Sequence, residues 1–430
     1  MEDEMIRVVQ TGDVFTPGRM PDVTYNPRSE HDVEGALRRF LANRGAALTV
    51  SGPTKSGKTV VVERVLPRDE ALWVPGGDLN SLDDLWHRVI EFLNLYDQVQ
   101  STAGTTDLDT AGGSATIGVP GILSASGTLS NSGGSSSQVT KGARRPVAAV
   151  AREALADLNV PVVIDDFHYV PDELKVHLVR AIKGLVTDIA VVMIAVPHDA
   201  FSVVREESDM LGRLWQQQIA PWSMEELIFI ARSGFAALNL TDPDNRLARE
   251  FASNSLGAPF LMQQLCLDYC LSQGIRETVR PAHRVEFPAN LEDFYQDIAT
   301  RYVPGVFDSL RRGPRTKGQP RLPRSLKDGR STDIYGAILY GISRIGPVRE
   351  ITTQRLARAI SEHISSSSVP TTQNVASALG NMKKIAEANK GASDPAIAYA
   401  DDTLFISDPF LSFYLRFGRW ELPSPPTDAL

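Results

Sequence analysis

Gly52-Pro53-Thr54-Lys55-Ser56-Gly57-Lys58-Thr59 satisfies G-x-x-x-x-G-K-[ST] at every fixed position. Working outward, Ala46-Ala47-Leu48-Thr49-Val50 before it is a short apolar, β-prone run, and Val60-Val61-Val62-Glu63-Arg64-Val65 after it continues as a helix. Strand, loop, helix is the order a phosphate-binding loop requires. A polyphosphate needs many donors at close range, so the loop turns its backbone N–H groups inward, and Gly52 and Gly57 permit the tight backbone. Lys58 is expected to reach the β- and γ-phosphates. Thr59 places a hydroxyl where it can ligate Mg²⁺, and the helix it opens points its positive end at the phosphates.

Further along, Val160-Pro161-Val162-Val163-Ile164-Asp165-Asp166 reads as a buried strand ending in two acids. A strand of a parallel sheet is covered on both faces and so is continuously apolar, and ligands collect at its C-terminal end. Asp165 is expected to hold the Mg²⁺ water shell opposite Thr59, and Asp166 to orient an attacking water. Asp166 has a shorter arm than glutamate, which predicts slow hydrolysis suited to a switch.

The remaining pattern alternates strand and helix. Val33, Ala36, Leu37, Phe40 and Leu41 recur at helical spacing, and Ala71-Leu72-Trp73-Val74 is a strand closed by Pro75-Gly76-Gly77. Ser81 and Asp84 form a helix-start box, and Ala190 to Val196 is another buried strand. The expected fold class is α/β: a parallel P-loop sheet with helices on both faces, an α-helical lid and a winged-helix domain. The predicted organisation is an extended lead-in over 1–30, the P-loop core over 31–221, the lid over 222–275, a connector over 276–330 and the winged helix over 331–430. Within the core, the Ser/Thr/Gly-rich stretch 101–140 is an insertion, read as a hairpin around Pro120-Gly121 with flexible ends. Ser223-Met224-Glu225-Glu226 is a full capping box opening the lid.

Helices over about 332–344, 352–364 and 371–388, followed by Ile397-Ala398-Tyr399 and Leu404-Phe405-Ile406, are the ingredients of the winged helix. Asp408-Pro409 then starts a last helix bearing Phe410, Phe413, Tyr414 and Phe417. The recognition helix expected of a winged helix, Thr372 to Glu387, carries Lys383 and Lys384 but few other basic groups, so direct DNA reading by it is not compelling. The Pro/Gly-rich basic stretch 311–330 fits either a solvated linker or a nucleic-acid contact.

Composition sets limits. With 44 Lys+Arg against 52 Asp+Glu, the formal net charge of -8 gives no global pull toward nucleic acid. The two cysteines, Cys266 and Cys270, sit one helical turn apart in an apolar pattern with no His/Cys cluster beside them, and read as core residues rather than half a metal site. The acidic start Met1-Glu2-Asp3-Glu4-Met5 and the lack of any membrane-length apolar run predict a cytoplasmic protein without membrane contact.

Together these motifs resemble the AAA+/STAND class of P-loop ATPases, in particular the prokaryotic origin-recognition-like members. The resemblance implies ATP and Mg²⁺ as ligands, ATP hydrolysis, and a homo-oligomer or a protein partner. It implies a polar γ-phosphate sensor after the fourth strand, where His198 stands, and an arginine finger for a neighbouring subunit at the position of Arg213, which fits a surface ion pair equally. Gly257-Ala258-Pro259 resembles the G-x-P motif of the lid, which puts Pro259 near the nucleotide, and Thr24-Tyr25-Asn26-Pro27-Arg28 resembles the segment lining the adenine pocket. Two functions stay open at this point: a nucleotide-driven conformational switch controlling a partner, and a DNA-associated ATPase of initiator or transposition-regulator type.

Overall fold

The computed structural model describes residues 8–43, 45–95, 146–196, 212–302, 305–315, 321–346, 348–389 and 395–422. The 101–140 hairpin and His198 lie outside them. Five strands form one all-parallel sheet: β1 (Ala47–Ser51), β2 (Leu72–Pro75), β3 (Val162–Asp165), β4 (Val191–Ala195) and β5 (Leu214–Gln218), in the order β2-β3-β4-β1-β5. Side chains alternate between faces with a period of two. Accordingly Leu48, Val50, Val163, Val192 and Ile194 join one buried cluster, while Ala47, Val162, Ile164, Val191 and Met193 join another on the opposite face. The first cluster is completed by α1 (Val33–Leu41) and α2 (Lys58–Val65) through Leu37, Phe40 and Val62. The second takes Leu85, Val89, Leu155, Leu178 and Ile182 from α3 (Leu82–Phe92), α4 (Val147–Leu158) and α5 (Asp172–Leu185). Because β1 and β4 are central, every one of their residues is buried, which is why their sequences lack alternation.

Beyond the sheet come α6 (Met224–Ala237), α7 (Arg246–Asn254) and α8 (Pro259–Ser272). The capping box is formed: Ser223 N donates to Glu226 at 2.7 Å, and Glu226 N donates to Ser223 Oγ at 3.2 Å. After α9 (Leu291–Arg301), the C-terminal part runs α10 (Ile334–Ile345), β6 (Glu350–Thr352), α11 (Thr353–His363), α12 (Thr372–Ala388), β7 (Ile397–Ala400), β8 (Thr403–Ile406) and α13 (Pro409–Phe417). Its three strands form an antiparallel sheet in the order β6-β8-β7. Aliphatic and aromatic side chains from α6 through α13 share one continuous core, in which Tyr295 lies 4.6 Å from Phe417 and 5.8 Å from Phe413 between ring centroids. Cys266 and Cys270 are both buried in it, and burial pushes the Cys270 thiol up to about 12, so they pack as apolar groups.

The first described residues are tied down rather than trailing. Val9 N donates to Thr278 Oγ1 and Thr278 N to Val9 O, both at 3.0 Å, and Thr11 N donates to Arg276 O at 2.8 Å. Phe15, fully buried, meets Phe235 of α6 edge to face at 5.8 Å. The sequence expectation of an extended lead-in therefore missed its apolar anchors, Val14 and Phe15, which three prolines nearby obscured. No helix among the described residues is long and apolar enough to cross a membrane.

Candidate functional site

The loop Gly52–Thr59 leaves the C-terminal end of β1 and enters α2. Lys55 and Gly57 take positive φ values of 62° and 87°, which turns the backbone around the loop's hollow. The Lys58 ammonium donates to the carbonyls of Gly52 and Pro53, both at 3.0 Å, and Trp222 Nε1 donates to Ser56 O at 2.8 Å. One strand separates β1 from β3, yet the loop and the β3 end meet: Thr59 Oγ1 donates to Asp165 Oδ1 at 3.1 Å. Asp166 N donates to that same oxygen at 3.0 Å, with Asp166 in the left-handed region at φ 51°. Burial raises the Asp165 carboxyl above its usual range, opposed by the bonds from Thr59 and Asp166 and by the charges of Arg68 and Lys58.

Gly76, at the end of β2, supports this turn. A Cβ there would stand 2.4 Å from Asp166 O and 3.1 Å from Asp165 O, so the two acids can occupy this position only against a glycine. The sequence marked Gly76 as a strand breaker; only the pairing of β2 with β3 shows that it makes room for the acids.

Around these groups lies a cavity of about 670 Å³. Its phosphate-loop side is formed by Thr54–Val61 with Asp166, and its far side by Thr16, Thr24, Tyr25, Asn26, Ile230 and Gln263. Pro259, the first residue of α8, lines it. Thr24–Arg28 lines it too, but much of its polar capacity is already spent on the fold. Arg28, 7% exposed, pairs with Glu226 at 2.7 Å, donates to Ala220 O and Pro221 O, and stacks over Trp222. Burial works against the Glu226 charge, yet Arg28 and Ser223 N hold its carboxyl below the usual range.

Arg213 stands elsewhere. Its carbonyl accepts from Ala47 N at 2.8 Å at the N-terminal start of β1 and β5, the opposite end of the strands from the loop, roughly 15 Å away at 3.3 Å per residue. It adds nothing to its own chain's cavity. In the basic stretch, Arg321 bonds Asp333 and the carbonyls of Arg312 and Pro314, Arg324 bonds Ser368 O, Lys327 bonds Glu362 O, and Arg330 pairs with Asp328.

One contact had no sequence signal. Lys55 Nζ lies 4.7 Å from the ring centroid of Phe260 in α8 and 6.0 Å from that of Phe410 in α13, and the two rings meet edge to face at 5.3 Å. Asp408 caps α13 by accepting from Phe410 N at 2.9 Å; burial raises its carboxyl, with the Phe410 N–H and Lys55 opposing. The phosphate loop thus touches both the lid and the last helix.

The fold is similar to that of a solved Walker-type ATPase. The Walker-type ATPase of Pyrococcus abyssi superposes with a TM-score of 0.51 at 15% identity, over 91% of this chain and 95% of that one. The Aeropyrum pernix ORC2 protein gives 0.48 at 12% identity, over 93% and 96%, and a STAND protein with a tetratricopeptide repeat sensor from Pyrococcus horikoshii gives 0.36 at 10%, over 91% and 42%. No protein-family model matches the chain. No curated protein matches it either.

Proposed function

We propose that the protein is an ATP-binding, Mg²⁺-dependent ATPase that acts as a nucleotide-driven conformational switch. The observation that carries this reading is the meeting of Thr59 Oγ1 and Asp165 Oδ1 at 3.1 Å beside the loop lysine. Hard oxygen donors from a hydroxyl and a buried carboxylate suit Mg²⁺, and a cation beside Asp165 offsets the burial that raises its carboxyl. When bound, Mg²⁺ supplies charge neutralisation for the β- and γ-phosphates. Lys58 exchanges the carbonyls of Gly52 and Pro53 for phosphate oxygens, and the loop N–H groups and the start of α2 complete the cradle. Asp166 orients the attacking water; its short arm makes turnover slow.

Output runs through the lid and the C-terminal part, which we read as a winged helix from its order of helix, strand, two helices and hairpin. The contacts of Lys55 with Phe260 and Phe410 support that coupling, since phosphate binding draws on the same loop. The basic side chains of 311–330 that bond carbonyls and carboxylates are less suited to phosphate, so we favour the switch over the DNA-associated alternative. Phosphate release and particle mass, measured with ATP·Mg²⁺ with and without duplex DNA, test the reading. Mg²⁺-dependent release and an ATP-dependent change of mass or compactness, both lost in Lys58→Ala, are expected. ATP-dependent DNA binding that falls steeply with salt and is lost on neutralising 311–330 selects the alternative.

A further inference from the structure

Arg68 stands in the turn between α2 and β2 and lines the cavity together with Thr59, Glu63 and Asp166. Its guanidinium lies 4.6 Å from the Trp73 ring centroid, and its Nη2 stands 3.1 Å from Glu63 Oε2. Trp73 Nε1 donates to Leu66 O at 3.1 Å, which fixes the ring on which the guanidinium stacks. The Arg68 side chain is 55% exposed, so its charge is accessible from the cavity rather than enclosed. Helix geometry ties this pair to the metal position. Glu63 follows Thr59 by four residues in α2, so the two side chains are neighbours on one face, and Cβ vectors tilted toward the helix N-terminus aim Glu63 back over the Thr59 turn. Thr59 Oγ1 in turn meets Asp165 Oδ1 at 3.1 Å. Electrostatics agree: burial raises the Asp165 carboxyl, and of the two cations that oppose it Arg68 acts more strongly than Lys58.

We propose that Arg68 is the group that tells a nucleoside triphosphate from a diphosphate: its guanidinium leaves Glu63 and binds the γ-phosphate oxygens. This rests on the nucleotide reading above and deepens it, because a nucleotide-driven switch must distinguish ATP from ADP. A guanidinium is always charged and its planar fork matches two phosphate oxygens at once, whereas the partner it gives up belongs to a half-exposed ion pair of little worth. The loop N–H groups serve the β-phosphate of either nucleotide, whereas a cation beside Thr59 and Asp165 serves the γ-phosphate. It comes from the same chain, unlike the finger that the resemblance places at Arg213.

The test is calorimetric titration of the full chain with ADP·Mg²⁺ and with the non-hydrolysable β,γ-imido analogue of ATP·Mg²⁺. Arg68→Gln is expected to weaken the analogue by about tenfold or more, the low end for a hydrogen bond to a charged group, and to leave ADP within about threefold of wild type. Arg68→Lys keeps the charge without the fork and should recover part of the lost affinity for the analogue. Without ligand, Arg68→Gln should unfold at nearly the wild-type temperature, since an exposed ion pair contributes little. Unchanged affinity for the analogue in Arg68→Gln, or an equal loss for both ligands, overturns the proposal while leaving the phosphate site standing. Wild type that binds neither ligand defeats the nucleotide reading itself.

Discussion

At the phosphate side of the cavity, eight consecutive residues supply the loop and one strand end supplies two acids, whereas on the far side Thr16, Thr24 and Gln263 are brought together across as many as 247 positions. The first side is encoded by a contiguous motif because the backbone itself is the ligand-holding group, and a short stretch dictates its own turn. The second is encoded by packing: Phe15, Phe235 and Tyr269 must assemble before the polar groups are aligned. Damage to the first should therefore appear in turnover, and damage to the second in stability.

The sharpest way to break this contrast is Asp166→Asn, expected to lower kcat by roughly 10²–10³-fold in steady-state phosphate release with ATP affinity little changed. An unchanged kcat would remove Asp166 from the reaction. Gly76→Ala tests the same side without touching a functional group. Its Cβ must push the Asp166 carbonyl, so hydrolysis is expected to fall by roughly tenfold or more, the cost of a misplaced group.

On the packed side, Arg28→Ala leaves Glu226 without its guanidinium partner in a mostly buried setting and is expected to cost about 3 kcal/mol in urea unfolding. A loss below about 1 kcal/mol would show that the pair behaves as a surface one. Lys55→Gly joins the two regions: it relieves a left-handed lysine worth about 1 kcal/mol while deleting the contacts to Phe260 and Phe410. Folding should survive, and amide exchange in α13 should quicken without nucleotide and cease to respond to it.

The smallest effect on stability is expected from Asp165→Asn. The folded chain holds the Asp165 proton more tightly than the unfolded chain does, so this group makes stability fall as pH rises from about 3.8 through its raised value. Asparagine keeps an oxygen for Thr59 and Asp166 N but carries no charge. The variant should match wild type in thermal unfolding near pH 4, melt at a slightly higher temperature near pH 7, and lose Mg²⁺-dependent turnover.

Much of the fold was legible because it rests on local rules. The buried strands announced themselves as unbroken apolar runs, and three C-terminal helices begin and end within two residues of their expected limits, at Ile334–Ile345, Thr353–His363 and Thr372–Ala388. Asp408 and Ser223 were readable as caps because a cap is satisfied by its own next turn. Arg213, which the resemblance offers to a neighbouring subunit's nucleotide, stands at the end of its own sheet away from the loop, a placement that only strand direction gives.

By itself the sequence determined the phosphate loop, the two acids at the end of β3 and the alternation that makes the sheet parallel, since each depends on residues within a few positions of one another. Tertiary structure alone decided that Gly76 clears space for Asp165 and Asp166, that Arg28 is consumed by Glu226, and that Lys55 reaches Phe410. The reason is physical: a period or a motif fixes backbone conformation locally, whereas hydrogen bonds and ring contacts between distant segments exist only after burial has brought those segments together.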